Sequence, residues 1–398
     1  MYVDRLRLKD VRTFTKADLR FVRPGEAADG SLPNVTLLLG DNAAGKSTVL
    51  QAIAAAAFGP AFPEAGLDLR GVVRVAPGGT QAESGSVRAT FRLHEQDGHV
   101  GEAESALEFR PRGELVRTTF EGDPAPWDPV YESRNDAFFL CGYGATRRVE
   151  LPDRFDMAAR KEHRYPRAQR VQSLFEDGTT LVPLTSWLPK LEASEPGRFA
   201  QVVRLIDRLL SPSPFSFEGQ FEAGEYVFRA GDARIPFTRM SDGYESFVGW
   251  VADFLYHLCF GRPPGAELVE SRGVLLVDEI DLHLHPKWQR EVVGALSKEL
   301  PNVQFVLTTH SPLVAGSVAP ENIRRLTRGR ENRTSVRTSD VETAAMDADQ
   351  ILVSDLFGLR STRRQADSRL ERLSRAARRG EEGAAVDLIR ALAAEPVP

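Results

Sequence analysis

A loop bracketed by two glycines constrains this chain more than any other feature of its sequence. The pattern G-x-x-x-x-G-K-S occupies residues 40–47, after an apolar run at 35–39 and before a helix-like stretch at 48–57. This order of strand, loop and helix N-terminus predicts a phosphate-binding loop. The glycines let backbone N–H groups point inward, and the helix dipole adds partial positive charge. An ordinary glycine-rich turn is the alternative, and the flanking elements favour the phosphate site.

Each chemical group of this loop has an expected contact. Lys46 is expected to reach the β- and γ-phosphates of a nucleotide, and the Ser47 hydroxyl is expected to bind Mg²⁺. The candidate nucleotide-contacting residues of the loop are Gly40, Asp41, Asn42, Ala43, Ala44, Gly45, Lys46, Ser47 and Thr48. The expected cofactors are therefore ATP and Mg²⁺, and Lys46 is a candidate catalytic residue.

Two adjacent carboxylates supply the second half of the predicted site. The apolar run 273–277 reads as a buried strand and ends in Asp278 and Glu279. At the carboxyl edge of a parallel sheet, Asp278 is expected to hold Mg²⁺, and Glu279 is expected to polarise the attacking water as the catalytic base. A solvated acidic loop is the alternative, and the upstream phosphate-binding pattern makes it the weaker one.

Composition bounds the class of protein. The chain has 398 residues, 42% of them hydrophobic, and a net charge of −5. That charge argues against a uniformly basic nucleic-acid binder but leaves room for local basic patches. Apolar runs are too short to span a membrane and no signal peptide is evident, so we expect a cytoplasmic protein without membrane association. Cys141 and Cys259 have no paired spacing, so we expect both to be reduced and buried.

The order of predicted elements indicates an α/β fold with a mixed central sheet. Edge strands are expected at 2–8 and 18–22, a loop at 60–79, and an antiparallel β subdomain at about 86–120. A short strand at 138–141 precedes a helical lobe at about 150–212, in which 187–210 has helical periodicity. Further strands are expected at 215–237.

A third group of residues lies around two later elements. Ser241 is a natural N-cap, and Gly243 would let the backbone approach an anion at the start of an amphipathic helix. Taken alone, this is equally the start of any capped helix. Downstream, the apolar run 303–309 predicts a third core strand, and His310 follows its end.

Together with the phosphate-binding loop and Asp278-Glu279, these residues resemble the motifs of ABC-type ATPases. The resemblance implies that Ser241 and Gly243 form a degenerate signature motif, which contacts the γ-phosphate bound by the opposite subunit. It also implies that His310 is the catalytic switch histidine and that Asp281 lies in the loop crossing the dimer interface. The implied assembly is a homodimer or a higher oligomer.

The sequence of residues 278–286 and 308–312 narrows this resemblance to RecF-like and SMC-like ATPases related to the overcoming-lysogenization-defect family. Residues 142–148 are similar to those of anti-phage ATPases such as the Septu type, and the resemblance covers about residues 1–326. Ala43 stands where many relatives have glycine. No glutamine follows strand 138–141 as the metal-linked residue, and Arg147 is a candidate partial substitute. His283 and His285 fit a structural turn better than a metal pair.

The remaining segments carry charge without a recognisable catalytic arrangement. Glu342, Asp347 and Asp349 form an acidic group that reads as a solvated loop rather than a Toprim site. Arginines concentrate at 154–170 and 360–379, where nucleic-acid phosphates, a docking partner and plain solvation remain open alternatives. We expect an ATPase head over residues 1–340 and a C-terminal helical segment over 341–398.

The functional hypothesis is an Mg-dependent, ATP-dimerising ABC-type ATPase. It would act in DNA-associated processes, with anti-phage defence through a separate nuclease or other effector in trans as the preferred role. The alternatives are a RecF-like repair ATPase, an ABC transporter subunit, a nuclease in its own right and a nucleotide-binding scaffold without turnover.

Overall fold

The computed structural model describes most of the chain. The described residues are 1–25, 31–59, 61–69, 71–97, 100–111, 115–121, 140–149, 166–211, 213–260, 267–329, 333–343 and 346–359, with 376, 379, 383 and 386–387. Contacts divide the chain into two compact units, Met1–Met346 and Asp347–Pro398. The elements below belong to the first unit unless stated otherwise.

A six-stranded mixed sheet forms the centre of the first unit. Its strands are β3 (Val35–Gly40), β7 (Leu140–Tyr143), β13 (Gly273–Val277), β14 (Val303–Thr309), β15 (Ile323–Arg328) and β16 (Thr334–Thr338). The order is β16-β15-β3-β14-β13-β7, and only the pairing of β16 with β15 is antiparallel. Every residue of β13 and β14 is buried, as expected where both faces of a parallel sheet are covered.

A five-stranded antiparallel sheet packs beside this centre. Three of its strands lie where the β subdomain was predicted, at about 86–120, and two N-terminal strands join them. The strands of this sheet are β1 (Tyr2–Val11), β2 (Phe14–Arg20), β4 (Gly85–Leu93), β5 (Gly101–Phe109) and β6 (Leu115–Glu121), in the order β2-β1-β4-β5-β6. Apolar and polar residues alternate along β1, β2, β4 and β5, so one face is buried and the other is solvated.

Helix α1 (Lys46–Phe58) belongs to the core between these sheets. Nearly all of its residues are buried, and they share one hydrophobic cluster with the inward-facing residues of β1 and β4. A helix that is apolar on all sides requires cover on all sides, and the two sheets provide it. Directly after it, the one-turn helix α2 (Ala61–Glu64) lies within the stretch predicted to be loop.

The helical lobe differs from the prediction in one respect. The stretch predicted as one helical segment forms two helices, α3 (Leu184–Ser194) and α4 (Pro196–Leu210). Glu195 separates them with φ −138° and ψ 70°, because the ring of a proline disfavours helical geometry in the preceding residue. Residues 150–165 of the predicted lobe lie outside the described part.

The remaining elements of the first unit include two small sheets and four later helices. A three-stranded antiparallel sheet contains β10 (Phe215–Glu222), β11 (Glu225–Ala230) and β12 (Ala233–Pro236), as predicted, and a two-stranded ladder pairs β8 (Arg148–Val149) with β9 (Thr180–Leu181). The later helices are α5 (Asp242–Phe260), α6 (Pro286–Gln289), α7 (Val292–Glu299) and α8 (Pro312–Ala315).

In the second unit, helix α9 (Ala348–Val353) begins at a capping box formed by Asp347 and Gln350. Asp347 and Asp349 are exposed, as predicted, but they form the start of a helix rather than the predicted loop. The predicted arginine helix at 360–379 falls outside the described residues except for positions 376 and 379.

Candidate nucleotide site

The phosphate-binding loop joins β3 to α1 at the centre of the sheet. Gly45 has φ +101°, and a Cβ there would lie 2.6 Å from the Phe14 ring. A Cβ on Gly40 would lie 2.4 Å from the Leu326 carbonyl oxygen. Packing therefore requires glycine at both positions, and the left-handed backbone conformation requires it at Gly45 as well. Ala43 has φ +61°, a conformation that costs a non-glycine residue about 1–2 kcal/mol.

Lys46 is the buried cation of this loop, with 6% of its surface exposed. Its Nζ donates to the carbonyl oxygens of Gly40 at 2.7 Å and Asp41 at 3.2 Å, and lies 2.7 Å from Nε2 of His310. An ammonium has no lone pair, so His310 accepts this bond through Nε2. Burial lowers the pKa of Lys46, and the nearby carboxylates of Asp278, Glu279, Asp41 and Asp281 oppose that shift.

The acidic pair at the end of β13 is held by a threonine on the adjacent strand. The Thr308 hydroxyl donates to Oδ1 of Asp278 at 2.5 Å and accepts from the backbone N–H of Glu279 at 2.8 Å. Glu279 has φ +48°, in the left-handed region. Sequence reasoning did not assign Thr308 to the site; the available signal was a hydroxyl residue at the end of a strand adjacent to the acidic one.

The next threonine of β14 makes a similar pair of hydrogen bonds. The Thr309 hydroxyl donates to Oδ1 of Asp281 and accepts from the backbone N–H of Ser311 at 2.9 Å. Ser311 in turn caps α8 and bonds to the Gln289 side chain at 2.7 Å. The turn that follows β13 is thereby attached to the end of β14, next to His310.

Arg147 contacts the acidic turn from the side of β7. Its guanidinium donates to the carbonyl oxygens of Asp278 and Glu279, the latter at 2.8 Å, and lies 5.7 Å from the centre of the Trp250 indole on α5. Burial of the guanidinium lowers the pKa of Arg147 to about 10, although part of the residue remains exposed. A guanidinium has no acceptor atom, so Arg147 cannot replace a glutamine as a metal ligand. Its contacts are instead to the backbone around Glu279.

The predicted signature residues lie at the N-terminus of α5. Ser241 is exposed and directly precedes the helix, and its carbonyl oxygen accepts from the N–H of Glu245 at 3.0 Å. A Cβ on Gly243 would lie 2.1 Å from the His283 carbonyl oxygen, so this glycine allows close packing against the turn after β13. Within the described residues, no hydrogen bond or ion pair joins Ser241 or Gly243 to the phosphate-binding loop.

A cleft of about 440 Å³ lies beside these signature residues. It is bounded by Arg147 and Arg148, by Asp242 and Glu245 at the start of α5, and by His283 in the turn after β13. Burial, followed by the neighbouring Asp242, raises the pKa of Glu245. The cleft therefore carries both signs of charge next to the exposed Ser241.

Arg12 is a further residue at the site for which the sequence indicated no role. At the end of the β1–β2 hairpin, its guanidinium donates to Thr48 Oγ1 at 3.1 Å and Gln51 Oε1 at 2.7 Å, both on α1. Burial lowers the pKa of Arg12, and its φ of +45° is unusual for a residue other than glycine. Sequence separation concealed this contact, because the hairpin and the loop are joined only through the tertiary fold.

The two histidines after the acidic pair have structural surroundings. His283 has φ +63°, and His285 caps α6 by accepting from the N–H of Lys287 at 3.3 Å. No cluster of three metal-ligating side chains occurs within the described part of the chain. Cys141 and Cys259 are buried and unpaired, and burial raises the pKa of both thiols.

The chain has the fold of an ABC-type ATPase head of the SMC type, as the sequence predicted. The chain belongs to the family described as "AAA domain, putative AbiEii toxin, Type IV TA system", which matches residues 35–316. Among solved structures, the chain resembles an Smc head bound to the C-winged helix domain of ScpA, with a TM-score of 0.55 and 17% identity over 86% of this chain and 99% of that one. At that identity the likeness concerns the fold alone.

Two curated relatives are similar over different lengths. The Septu protein PtuA of Bacillus mycoides is 24% identical over 82% of this chain and 41% of its own length. The Retron Vc95 probable ATPase of Vibrio cholerae is 40% identical over 23% of this chain and 18% of its own length. The chain thus spans less than half the length of either relative.

Two further predictions concern membrane-spanning helices and the basic stretch at 154–170. No helix in the described part of the chain is both long and apolar enough to cross a bilayer. The basic stretch predicted at 154–170 is described only from residue 166 onward, and most of its cations lie outside the described residues.

Proposed function

We propose that this chain is an Mg²⁺-dependent ATPase. The observation that carries the proposal is the convergence of Lys46, Asp278, Glu279 and His310 at one sheet edge, beside a loop whose glycines leave no room for side chains. Lys46 and the loop backbone from Gly40 to Thr48 would bind the phosphates of ATP.

The oxygen donors at this edge suit a hard divalent cation. The Ser47 hydroxyl is exposed at the start of α1, and Asp278 is oriented by the Thr308 hydroxyl. Ser47 and Asp278 would hold Mg²⁺, which when bound would offset the negative charge of the phosphates. The chemistry of these donors therefore fits the cofactor that the family resemblance implies.

Glu279 would accept a proton from the attacking water. Its backbone is held by Thr308 on one side and Arg147 on the other, which favours a fixed position for the carboxylate. His310, already within hydrogen-bond distance of Lys46, would contact the terminal phosphate.

A second copy of the chain would complete the site. Ser241 is exposed and, within the described residues, makes no hydrogen bond to its own loop, so Ser241 and Gly243 would contact the nucleotide held by the partner subunit. Asp281 would lie near that interface, held by Thr309. The proposed unit is a homodimer with two shared sites.

The Glu279→Gln variant tests the assignment of the base. The substitution keeps the size of the side chain, but a carboxamide cannot accept the proton, so ATP binding should persist while hydrolysis falls by about 10²–10⁴-fold. Single-turnover hydrolysis and equilibrium nucleotide binding would be measured together. Glu291→Gln, the same change at an exposed position away from the sheet edge, is the matched control. Turnover near the wild-type rate in Glu279→Gln would remove Glu279 from this role.

The proposed biological role is anti-phage defence with a nuclease partner acting in trans, in a process that involves DNA. The similarity to a Septu protein and to a retron ATPase supports this context. The gene adjacent in the same operon is the most direct test. A nuclease gene there would support the role, whereas a permease gene would favour a transporter subunit.

A further inference from the structure

The outer face of the five-stranded sheet concentrates cations on two neighbouring strands. The outward residues of β1 are Arg5, Arg7 and Lys9, and those of β2 are Lys16, Asp18 and Arg20. Arg5 forms an ion pair with Asp18. Within the described residues no ion pair joins a carboxylate to Arg7, Lys9, Lys16 or Arg20, although Asp18 stands opposite Arg7 in the strand register. These four cations are hereafter the basic face.

The strand register places like charges directly opposite each other. Lys9 of β1 is opposite Lys16 of β2, and Arg5 is opposite Arg20, whereas Arg7 stands between Asp18 of β2 and Arg88 of β4. Like charges at directly opposed positions destabilise a sheet. A protein whose net charge is −5 therefore gathers cations where they oppose folding. This arrangement is explained if a polyanion neutralises them.

The surface at this position is concave. A groove of about 400 Å³ runs along β1 and β2, and its charged lining consists of four cations and one carboxylate: Arg7, Lys9, Lys16, Arg88 and Asp18. Arg88 is paired with Glu104 of β5 at 2.6 Å, and Arg92 is paired with Glu102 at 2.8 Å. The acidic strand β5 thus neutralises the far side of the sheet and leaves the basic face at the β1–β2 edge.

The side chains of this face indicate the kind of partner. Large exposed apolar side chains are absent from β1, β2, β4 and β5, all of whose residues are described, and protein interfaces usually need an apolar centre. Aromatic side chains are likewise absent from the outward positions of these four strands, so unpaired bases would find no stacking partner. Duplex RNA and duplex DNA both present phosphates to such a groove, and the DNA association in the proposed function favours DNA. The phosphate backbone of duplex DNA fits best.

We propose that the basic face is a sequence-tolerant binding surface for the backbone of duplex DNA. The proposal rests on the DNA association included in the proposed function, but it requires no ATP hydrolysis, so either can fail without the other. The triple variant Arg7→Gln, Lys9→Gln, Lys16→Gln removes three cations of this face. Its matched control, Lys190→Gln, Arg204→Gln, Lys298→Gln, removes three exposed cations from α3, α4 and α7.

Binding of the full chain to a DNA duplex would be measured by fluorescence anisotropy at several salt concentrations, without nucleotide. We expect the triple variant to bind at least about tenfold more weakly, with a salt slope reduced by about 0.9 per lost contact. The control variant should bind as the wild type does, and basal ATP hydrolysis should be unchanged in both. The single variant Lys16→Gln should bind more weakly than wild type with an unchanged or higher melting temperature, which separates lost binding from lost folding.

Four outcomes would overturn the proposal. They are unchanged DNA affinity in the triple variant, an equal loss in the control variant, tighter binding of single-stranded than duplex DNA, and tighter binding of duplex RNA than duplex DNA. If the triple variant kept its DNA affinity but lost binding to polyglutamate, the face would be assigned to an acidic protein partner instead.

Discussion

The backbone at Glu279 adopts a left-handed conformation that a residue other than glycine reaches only at a cost of about 1–2 kcal/mol. Two neighbours hold it there. Thr308 accepts a hydrogen bond from its N–H, and Arg147 donates one to its carbonyl oxygen. Because the same guanidinium lies over the ring of Trp250, the conformation of the proposed base is connected to the helix that begins at Ser241.

Arg147→Met should therefore lower the rate of hydrolysis more than it lowers ATP affinity. Removal of the donors would let the Glu279 backbone relax, and a displacement of about 1 Å costs about 10²-fold in rate. We expect kcat to fall by about this factor and KM for ATP to stay within about threefold, measured by steady-state hydrolysis. Arg148→Met, at the adjacent exposed position, is the control, and Arg147→Lys should recover part of the activity. A rise in KM at constant kcat would instead assign Arg147 to nucleotide binding.

At the scale of elements, buried side-chain amides connect strands that are distant in sequence. Gln304 of β14 donates to the carbonyl oxygens of Val3 and Val22 at 2.8 and 2.9 Å, and accepts from the Val3 N–H at 2.8 Å. Asn34 donates to the carbonyl oxygens of Leu300 and Val303. The Gln304 bonds satisfy backbone groups where β14 of the central sheet meets β1 of the antiparallel sheet.

Gln304→Met tests the energetic importance of that junction. The substitution preserves the approximate size of the side chain but leaves up to three buried backbone groups without a partner, each costing about 1–3 kcal/mol. We expect a loss of about 2–5 kcal/mol in the free energy of unfolding, measured by chemical denaturation. Asn302→Ala, which removes one exposed bond to Val269, should cost less than about 1 kcal/mol. Equal losses in the two variants would contradict the proposed role of Gln304.

For the whole molecule, the separation of Ser241 from its own phosphate-binding loop is the decisive feature. The Glu279 carboxylate acts electrostatically on Lys46 of the same chain, whereas Ser241 makes no hydrogen bond to the phosphate-binding loop within the described residues. A dimer in which each chain supplies one half of each site would use both surfaces. This arrangement makes complementation between two inactive chains possible.

Mixing Lys46→Ala chains with Ser241→Arg chains should restore hydrolysis. Each variant alone would form dimers in which both shared sites are defective, whereas a mixed dimer would contain one intact site. An equal mixture should reach roughly a quarter of the wild-type rate, since half of the dimers are mixed and each has one of two sites. The rate would be measured after co-incubation with ATP. Failure to recover activity, together with a monomer on size exclusion of ATP-bound Glu279→Gln, would reject the shared site.

Local sequence patterns determined much of this protein. The order of apolar runs around residues 40–47 and 273–279 predicted the fold class, the phosphate-binding loop and the acidic strand end, because strand burial and helix starts depend on neighbouring residues. Alternation predicted β4, β5 and β6 as antiparallel strands, and the family resemblance was confirmed. Alternation did not predict that β1 and β2 join them, and β2 lies at Phe14–Arg20 rather than at the predicted 18–22. The break at Glu195 was also available locally, in the proline that follows it.

Only the tertiary structure decided which residues meet at the site. Three contacts at the site join residues that lie between 30 and 132 positions apart in the sequence. They are the contacts of Arg12 with α1, of Thr308 with Asp278, and of Arg147 with the Glu279 backbone. The basic face likewise required the strand register, because a single sequence shows alternating cations but not which of them stand opposite each other. Pairing across strands is set by packing of the buried face, and that is a property of the assembled core.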